Sequence, residues 1–221
     1  MKLGIVTHHF FIKFILIFFC FLIKLHSQSK EVVIYGNISS ALKTPKEVRI
    51  LDLSRKQLKT LPKEIGQFVN LERLYLKDNE LTTLPEEIGK LENLKMLDIT
   101  RNQISSFPKE FWQLKNLAVL IVENNKLSAL PEEIGQLKNL NLLHLDSNQL
   151  TTLPKEIGQL ENLLSLKLSS NKLTSIPDEI GQLKKLKILG LWNNPNLTTT
   201  EKHIRELFRN QDVTIEKEKS Y

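Results

Sequence analysis

Few side chains in this chain are able to do covalent, acid–base or metal chemistry, and their spacing decides what they are for. The 221 residues include one cysteine, Cys20, and five histidines, His8, His9, His26, His144 and His203. A second set is acidic: Glu64, Glu87, Glu110, Glu133, Glu156 and Glu179 recur 23 residues apart. Each follows a proline by two places, in the column Pro62, Pro85, Pro108, Pro131, Pro154 and Pro177. Carboxylates take acid and base roles only when a fold aims them at one reacting atom. One carboxylate per 23 residues beside a proline fits a helix start instead. Proline suits the first helical position, and the unpaired N–H groups of a first turn favour negative charge. The expectation for these acids is structural. No phosphate loop, His-rich metal cluster or catalytic triad is legible in the sequence.

A fixed period of this length means a stack of one repeated unit. Units begin at Val48, Leu71, Leu94, Leu117, Leu140, Leu163 and Leu186. The second runs Leu71, Leu74, Leu76, Asn79, Leu81, Leu84, Pro85, Ile88, Gly89, Leu91. The third keeps the frame with Ile104, Phe107, Phe111 and Trp112, the last standing where the others have Gly66, Gly89, Gly135, Gly158 and Gly181. The seventh breaks frame after Asn194-Pro195-Asn196, so that Leu197 comes one place late. A coiled coil would keep one spacing throughout, whereas here L-x-L alternates like a strand and P-x-E-I-G-x-L is spaced like a helical turn. Each coil is therefore expected to hold one short strand and one short helical turn. The glycines are expected to allow a tight backbone path.

The pattern L-x-x-L-x-L-x-x-N-x-L-x-x-L-P-x-x-I-G-x-L-x-x resembles a leucine-rich repeat over roughly 48–197. The wording L-P-x-E-I-G-x-L-x-N-L, with the lead-in 41–53, is similar to exported leucine-rich repeat proteins of pathogenic spirochaetes. That resemblance implies an α/β solenoid of about seven coils: a horseshoe with a parallel concave β-sheet and short α or 3-10 convex segments. It also implies export and a role in contacts with host proteins. Bacterial repeat effectors that act as ubiquitin ligases carry a large catalytic domain with an active cysteine, which the two dozen residues after Leu197 do not supply.

Inside such coils the leucines point between the strand and helical layers, and stacking hides what one coil alone leaves exposed. The column Asn79, Asn102, Asn125, Asn148, Asn171 and Asn194 is expected in the bend after each strand. There an amide both donates to and accepts from main-chain groups left over by the turn. Residues 28–47 read as an N-terminal cap with a short helix at Ile38–Leu42. Residues 198–221 read as a C-terminal cap: a helix from Thr200-Glu201 burying Ile204, Leu207 and Phe208, a last strand through Val213 and Ile215, and a charged tail. His203 is expected to be a surface residue.

Residues 1–27 read as a signal peptide, with Lys2 and Lys13 ahead of the apolar run Phe14–Ile23. The preferred cleavage follows Ser27, with an uncleaved anchor or lipidation at Cys20 as alternatives. Cleavage removes Lys2, Lys13 and Lys24 and no acid, leaving 28 basic against 25 acidic residues and lowering the net charge from +6 to +3. Cys20 goes too, and with it any disulfide, cysteine nucleophile or Cys-ligated zinc. Lysines and glutamates alternate around the coils, so no basic stripe marks a nucleic-acid binder.

Three concave rows follow from the period. The third-position row is Ile50, Arg73, Met96, Val119, Leu142, Ser165, Ile188. The fifth is Asp52, Tyr75, Asp98, Ile121, His144, Lys167, Gly190. The seventh is Ser54, Lys77, Thr100, Glu123, Asp146, Ser169, Trp192. Met96, Val119, Ile121 and Leu142 are expected to form an exposed apolar patch rimmed by Tyr75, Asp98, Glu123 and His144, the look of a protein interface. Lys167 extends this surface. Tyr75 and Trp192 are candidate edge anchors, although for Trp192 the favoured reading is a cover for the C-terminal cap. The function expected is an exported, non-catalytic protein-binding module, without cofactor or metal, acting as a monomer or weak edge-to-edge dimer. The alternative is an intracellular scaffold for signalling proteins such as small GTPases.

Overall fold

The computed structural model describes residues 33–216. The signal region within residues 1–27, Cys20 included, and the tail from Lys217 lie outside them. In the described residues nine short strands follow one another in a single parallel sheet whose spatial order is the order of the chain. They are β1 (Ile34–Tyr35), β2 (Ile50–Asp52), β3 (Arg73–Tyr75), β4 (Met96–Asp98), β5 (Val119–Ile121), β6 (Leu142–His144), β7 (Ser165–Lys167), β8 (Ile188–Gly190) and β9 (Thr214–Glu216). Seven belong to the repeats. β9 is the last strand expected from Val213 and Ile215, whereas β1 had no signal in the periodicity.

Each return path is 3-10 rather than α-helical: Lys63–Gln67, Glu86–Lys90, Lys109–Gln113, Glu132–Gln136, Lys155–Gln159 and Asp178–Gln182. Five residues are too few for an α-helix to recover its nucleation cost, and the tighter spiral suits a short connector. The prolines sit one place earlier than expected. They are N-caps in extended conformation, Pro85 at φ −69° and ψ 154°, and not first helical residues. The chain enters each turn from an extended segment, so the fixed proline φ serves the entry. The following Glu does lie in the first turn, as Glu64 and Glu110 show.

The leucine columns are buried throughout, from Leu51 and Leu74 to Leu166 and Leu189, and form one continuous cluster along the stack. The N-terminal end is closed by helix α1 (Ile38–Ala41), capped by the Asn37 side chain, and by the 3-10 turn Pro45–Glu47. The C-terminal end is closed by helix α2 (Glu201–Leu207), capped by Thr200 and burying Ile204 and Phe208. His203 on α2 meets Asp178 at 2.8 Å on the surface. Among the described residues the buried apolar side chains run from Ala41 to Phe208, with Tyr35, Ile38, Val213 and Ile215 packed partly buried against them.

The Asn column ties neighbouring coils together. Asn125 Oδ1 accepts the N–H of Ile104 at 2.9 Å, while Nδ2 donates to Ile99 at 2.9 Å and to Glu123 at 3.1 Å. The first two partners belong to the preceding coil. The residue before each ladder Asn takes a left-handed conformation, as at Asp78 (φ 55°) and Ser147 (φ 56°). This turns the chain out of the sheet while its N–H reaches the next coil, Ser147 to Ser169 O at 2.8 Å. A second, exposed asparagine ladder runs along the flank, where Asn93 and Asn116 donate to Val69 O and Glu92 O, at 2.9 and 2.8 Å.

The repeat glycines have negative φ. Their role is close approach between coils: a Cβ on Gly89 would lie 2.6 Å from Glu110 O. Trp112 fills this place in the third repeat and is almost fully buried, 4% exposed. Its ring meets Phe107 and Phe111 edge-on at 5.6 and 5.0 Å, and those two stack at 4.3 Å. Of the consecutive repeat turns, Lys109–Gln113 and Glu132–Gln136 approach least closely, as a wide ring in place of hydrogen requires. The three aromatics fill the space so opened.

Replacing Asn125 with alanine strands buried main-chain groups and is expected to cost about 1–3 kcal/mol, read as a lowered midpoint in thermal or urea unfolding. Gly89→Ala forces two coils apart against the rest of the stack, with an expected loss of about 1–3 kcal/mol. Wild-type midpoints would refute either.

Candidate binding face

The strand register places the third- and fifth-position rows side by side, and main-chain bonds beyond the strands, such as Arg101 N–H to Glu123 O at 2.9 Å, carry the seventh row along. Met96 pairs with Val119 and Val119 with Leu142, while Asp98 pairs with Ile121 and Ile121 with His144. Alternation along each strand sends the intervening Leu97, Leu120 and Leu143 into the core. Met96, Val119, Ile121 and Leu142 are thus contiguous, and none belongs to the core cluster. They are half-buried, not exposed as expected, because flanking side chains on a concave sheet shield one another. Thr100, Ser165 and Gly190 in the same rows are buried outright.

The rim is ordered by side-chain contacts. Tyr75 Oη reaches Met96 Sδ at 3.5 Å, and Asp98 Oδ1 accepts the N–H of Thr100 at 2.9 Å. Lys167 stands beside His144 in the register. Trp192 is half-buried, outside the core cluster, three coils away from Glu123.

A polar cluster that no sequence motif marks crosses the face diagonally. His144 Nδ1 lies 3.5 Å from Glu123 Oε1, and its Nε2 lies 3.1 Å from Ser165 Oγ. With the ring proton on Nδ1, the imidazole accepts from the serine and faces the carboxylate. The spacing 123, 144, 165 is one period less two residues, so each coil contributes one member. Such a diagonal becomes visible only once the rows are aligned. The order carboxylate–imidazole–hydroxyl is that of an acyl-transfer relay. Here, however, Ser165 is 5% exposed and its own N–H already donates to Asn141 O at 3.1 Å. An oxyanion needs free donors beside the nucleophile, and the ladder has taken this one. The arrangement is a polar bridge across three coils.

The two acids beside His144 are driven in opposite directions. His144 holds the Glu123 carboxyl below the usual range against the opposing effect of burial, with help from Lys167 and Lys77. Burial pushes Asp146 up, only partly offset by the N–H of Ser169 at 2.6 Å, and the Glu123 charge adds to the rise. Glu123 therefore contributes stability that is present above its unfolded pKa and lost as pH falls through its lower folded value. Asp146 has the reverse sign. The fold favours its neutral form, so its ionisation at neutral pH is a penalty that vanishes on acidification. Asp146→Asn, which keeps an oxygen for the Ser169 N–H, is expected to raise the melting midpoint at pH 7. That gain should shrink to nothing as the pH falls below the carboxylate range; an equal gain at all pH values would contradict this assignment.

Known proteins resemble the chain as this geometry suggests. A model of the leucine-rich repeat region matches residues 32–128 and 122–213. A leucine-rich repeat protein of Leptospira interrogans is similar at 41% identity and TM-score 0.65, over 82% of this chain and 51% of that one. The leucine-rich repeat ectodomain of the Arabidopsis thaliana membrane receptor kinase GASSHO1/SCHENGEN3, solved in complex with CASPARIAN STRIP INTEGRITY FACTOR 2, is similar at 31% identity and TM-score 0.62. That likeness spans 74% of this chain and 20% of the receptor. The chain thus spans about half the length of the leptospiral protein and a fifth of the plant one. Among curated proteins no match is found. Repeat domains of this kind are in general non-catalytic scaffolds that bind proteins. With the model spanning nearly the whole coil stack and the sheet built on its period, the chain belongs to the leucine-rich repeat family.

Proposed function

We propose that this protein is an exported, non-catalytic module that binds a partner protein on its concave sheet, as an adhesin or secreted effector meeting host proteins. The observation that carries this reading is the continuous apolar patch of Met96, Val119, Ile121 and Leu142, outside the core and locked in place by the strand register. Its rim supplies directional contacts: Tyr75 and Asp98 on one side, Glu123, His144 and Lys167 on the other, with Trp192 as a distant anchor. An apolar centre with a polar rim is how protein interfaces are organised, and nine strands at about 4.8 Å give a face roughly 40 Å long, enough for a standard interface. The plant receptor's complex supports partner binding by this architecture. The composition of residues 1–27 supports export.

Two measurements test it. Intact mass of the protein from fractionated cells and medium is expected to lack residues 1–27 and to be found outside the cytosol; a full-length cytosolic form would overturn export. Ile121→Asp and Leu142→Asp are each expected to weaken capture of a partner from host extracellular proteins by about tenfold or more, with unchanged melting curves. Full capture by both variants would remove the concave face from consideration.

A further inference from the structure

The net positive charge of this chain sits entirely at one end. Residues 1–70 hold eleven cations and four acids, net +7, whereas residues 71–221 hold twenty cations and twenty-one acids, net −1. Within the folded part the contrast persists at the N-terminal cap and first coil. Residues 34–70 carry Lys43, Lys46, Arg49, Arg55, Lys56, Lys59 and Lys63 against Glu47, Asp52 and Glu64. The second coil, 71–93, holds six acids and three cations. Arg49 and Arg55 are spent on Glu72 and Asp78, at 2.6 and 3.3 Å. Lys43, Lys46, Lys56, Lys59 and Lys63 are all exposed, and among the described residues none has an ion-pair partner.

Among the described residues three of the four exposed large apolar side chains, Val33, Ile34 and Val69, belong to this end, the fourth being Leu164. Ile34, on the outermost strand β1, is 62% exposed, and Val69, at the end of the first coil, is 43% exposed. Cations beside protruding aliphatic residues are the combination that holds proteins on anionic bilayers, where charge attracts and the apolar side chain inserts.

From this juxtaposition we propose that the N-terminal cap and first coil form a docking surface for an anionic phospholipid bilayer. The stack then meets the membrane by its N-terminal edge, where Ile34 continues the third-position row beside Ile50, and leaves the centre of the concave sheet open. The proposal does not depend on which protein that sheet binds.

The test is co-sedimentation of residues 28–221, which contain both caps, with vesicles of phosphatidylcholine alone or mixed with phosphatidylglycerol. Binding is expected only to the mixed vesicles and should weaken with salt. Lys43→Gln, Lys46→Gln, Lys59→Gln and Lys63→Gln together should reduce it by about tenfold or more, since each lysine near an anionic surface is worth roughly fivefold. Ile34→Ser should weaken it as well. Neutralising Lys115, Lys138, Lys172 and Lys184 removes the same charge elsewhere and should leave binding within about twofold. Melting curves confirm that each variant is folded. No binding to mixed vesicles at low salt overturns the proposal, and so does equal weakening by the two sets of substitutions. Binding a DNA duplex as tightly as the vesicles would reassign the surface to polyanions in general.

Discussion

Every coil of this protein depends on its neighbour for main-chain hydrogen bonds. A three-residue strand cannot pair within itself, and the bend that follows leaves N–H and C=O groups pointing along the stack axis. The ladder asparagines answer both needs with one side chain: the amide oxygen takes an N–H of the preceding coil, and the NH2 group bridges carbonyls of both coils. Buried at 4–9% exposure, these groups have no water to fall back on. The 23-residue period follows from this constraint, because the amide reaches its partners only when adjacent coils are in register.

That constraint explains which departures the stack accepts. The first repeat has Lys56 in the ladder column, at an end where a cap replaces the preceding coil, and its N–H is received by Asn79 Oδ1 at 3.0 Å. The seventh shifts frame at Pro195, where α2 and β9 take over the covering of the core. Trp112 is different in kind. It keeps the register and changes the spacing of two return turns, and it is accommodated because Phe107 and Phe111 in the same coil fill the opened space. The strand side of the stack is unaffected, since β4, β5 and β6 pair in the ordinary register.

The two sides of the sheet carry separate duties. Leu97, Leu120 and Leu143 hold the coils together, while the alternate residues of the same strands are released from that task. Glu123, His144 and Ser165 use the freedom to form a bridge, and Asp146 sits beside it as a charge the fold tolerates rather than favours.

Sequence by itself determined the repeat boundaries, the strand positions, both caps, the ladder asparagines and the membership of the three concave rows. Each follows from spacing, and spacing is carried faithfully by a structure in which every unit meets only its neighbours. Tertiary structure alone decided the rest. It showed that the return turns are 3-10 with proline as the entry residue, and that the glycines answer close contact rather than positive φ. It also showed that Trp112 acts as a filled spacer, that the apolar patch is half shielded, and that β1 opens the sheet. Above all it joined Glu123 and His144, which the spacing places only on the rim of the patch, to Ser165. The physical reason is common to all of these: they depend on distances between coils of a few ångströms, and a repeat pattern records which residues are neighbours without recording how close they come.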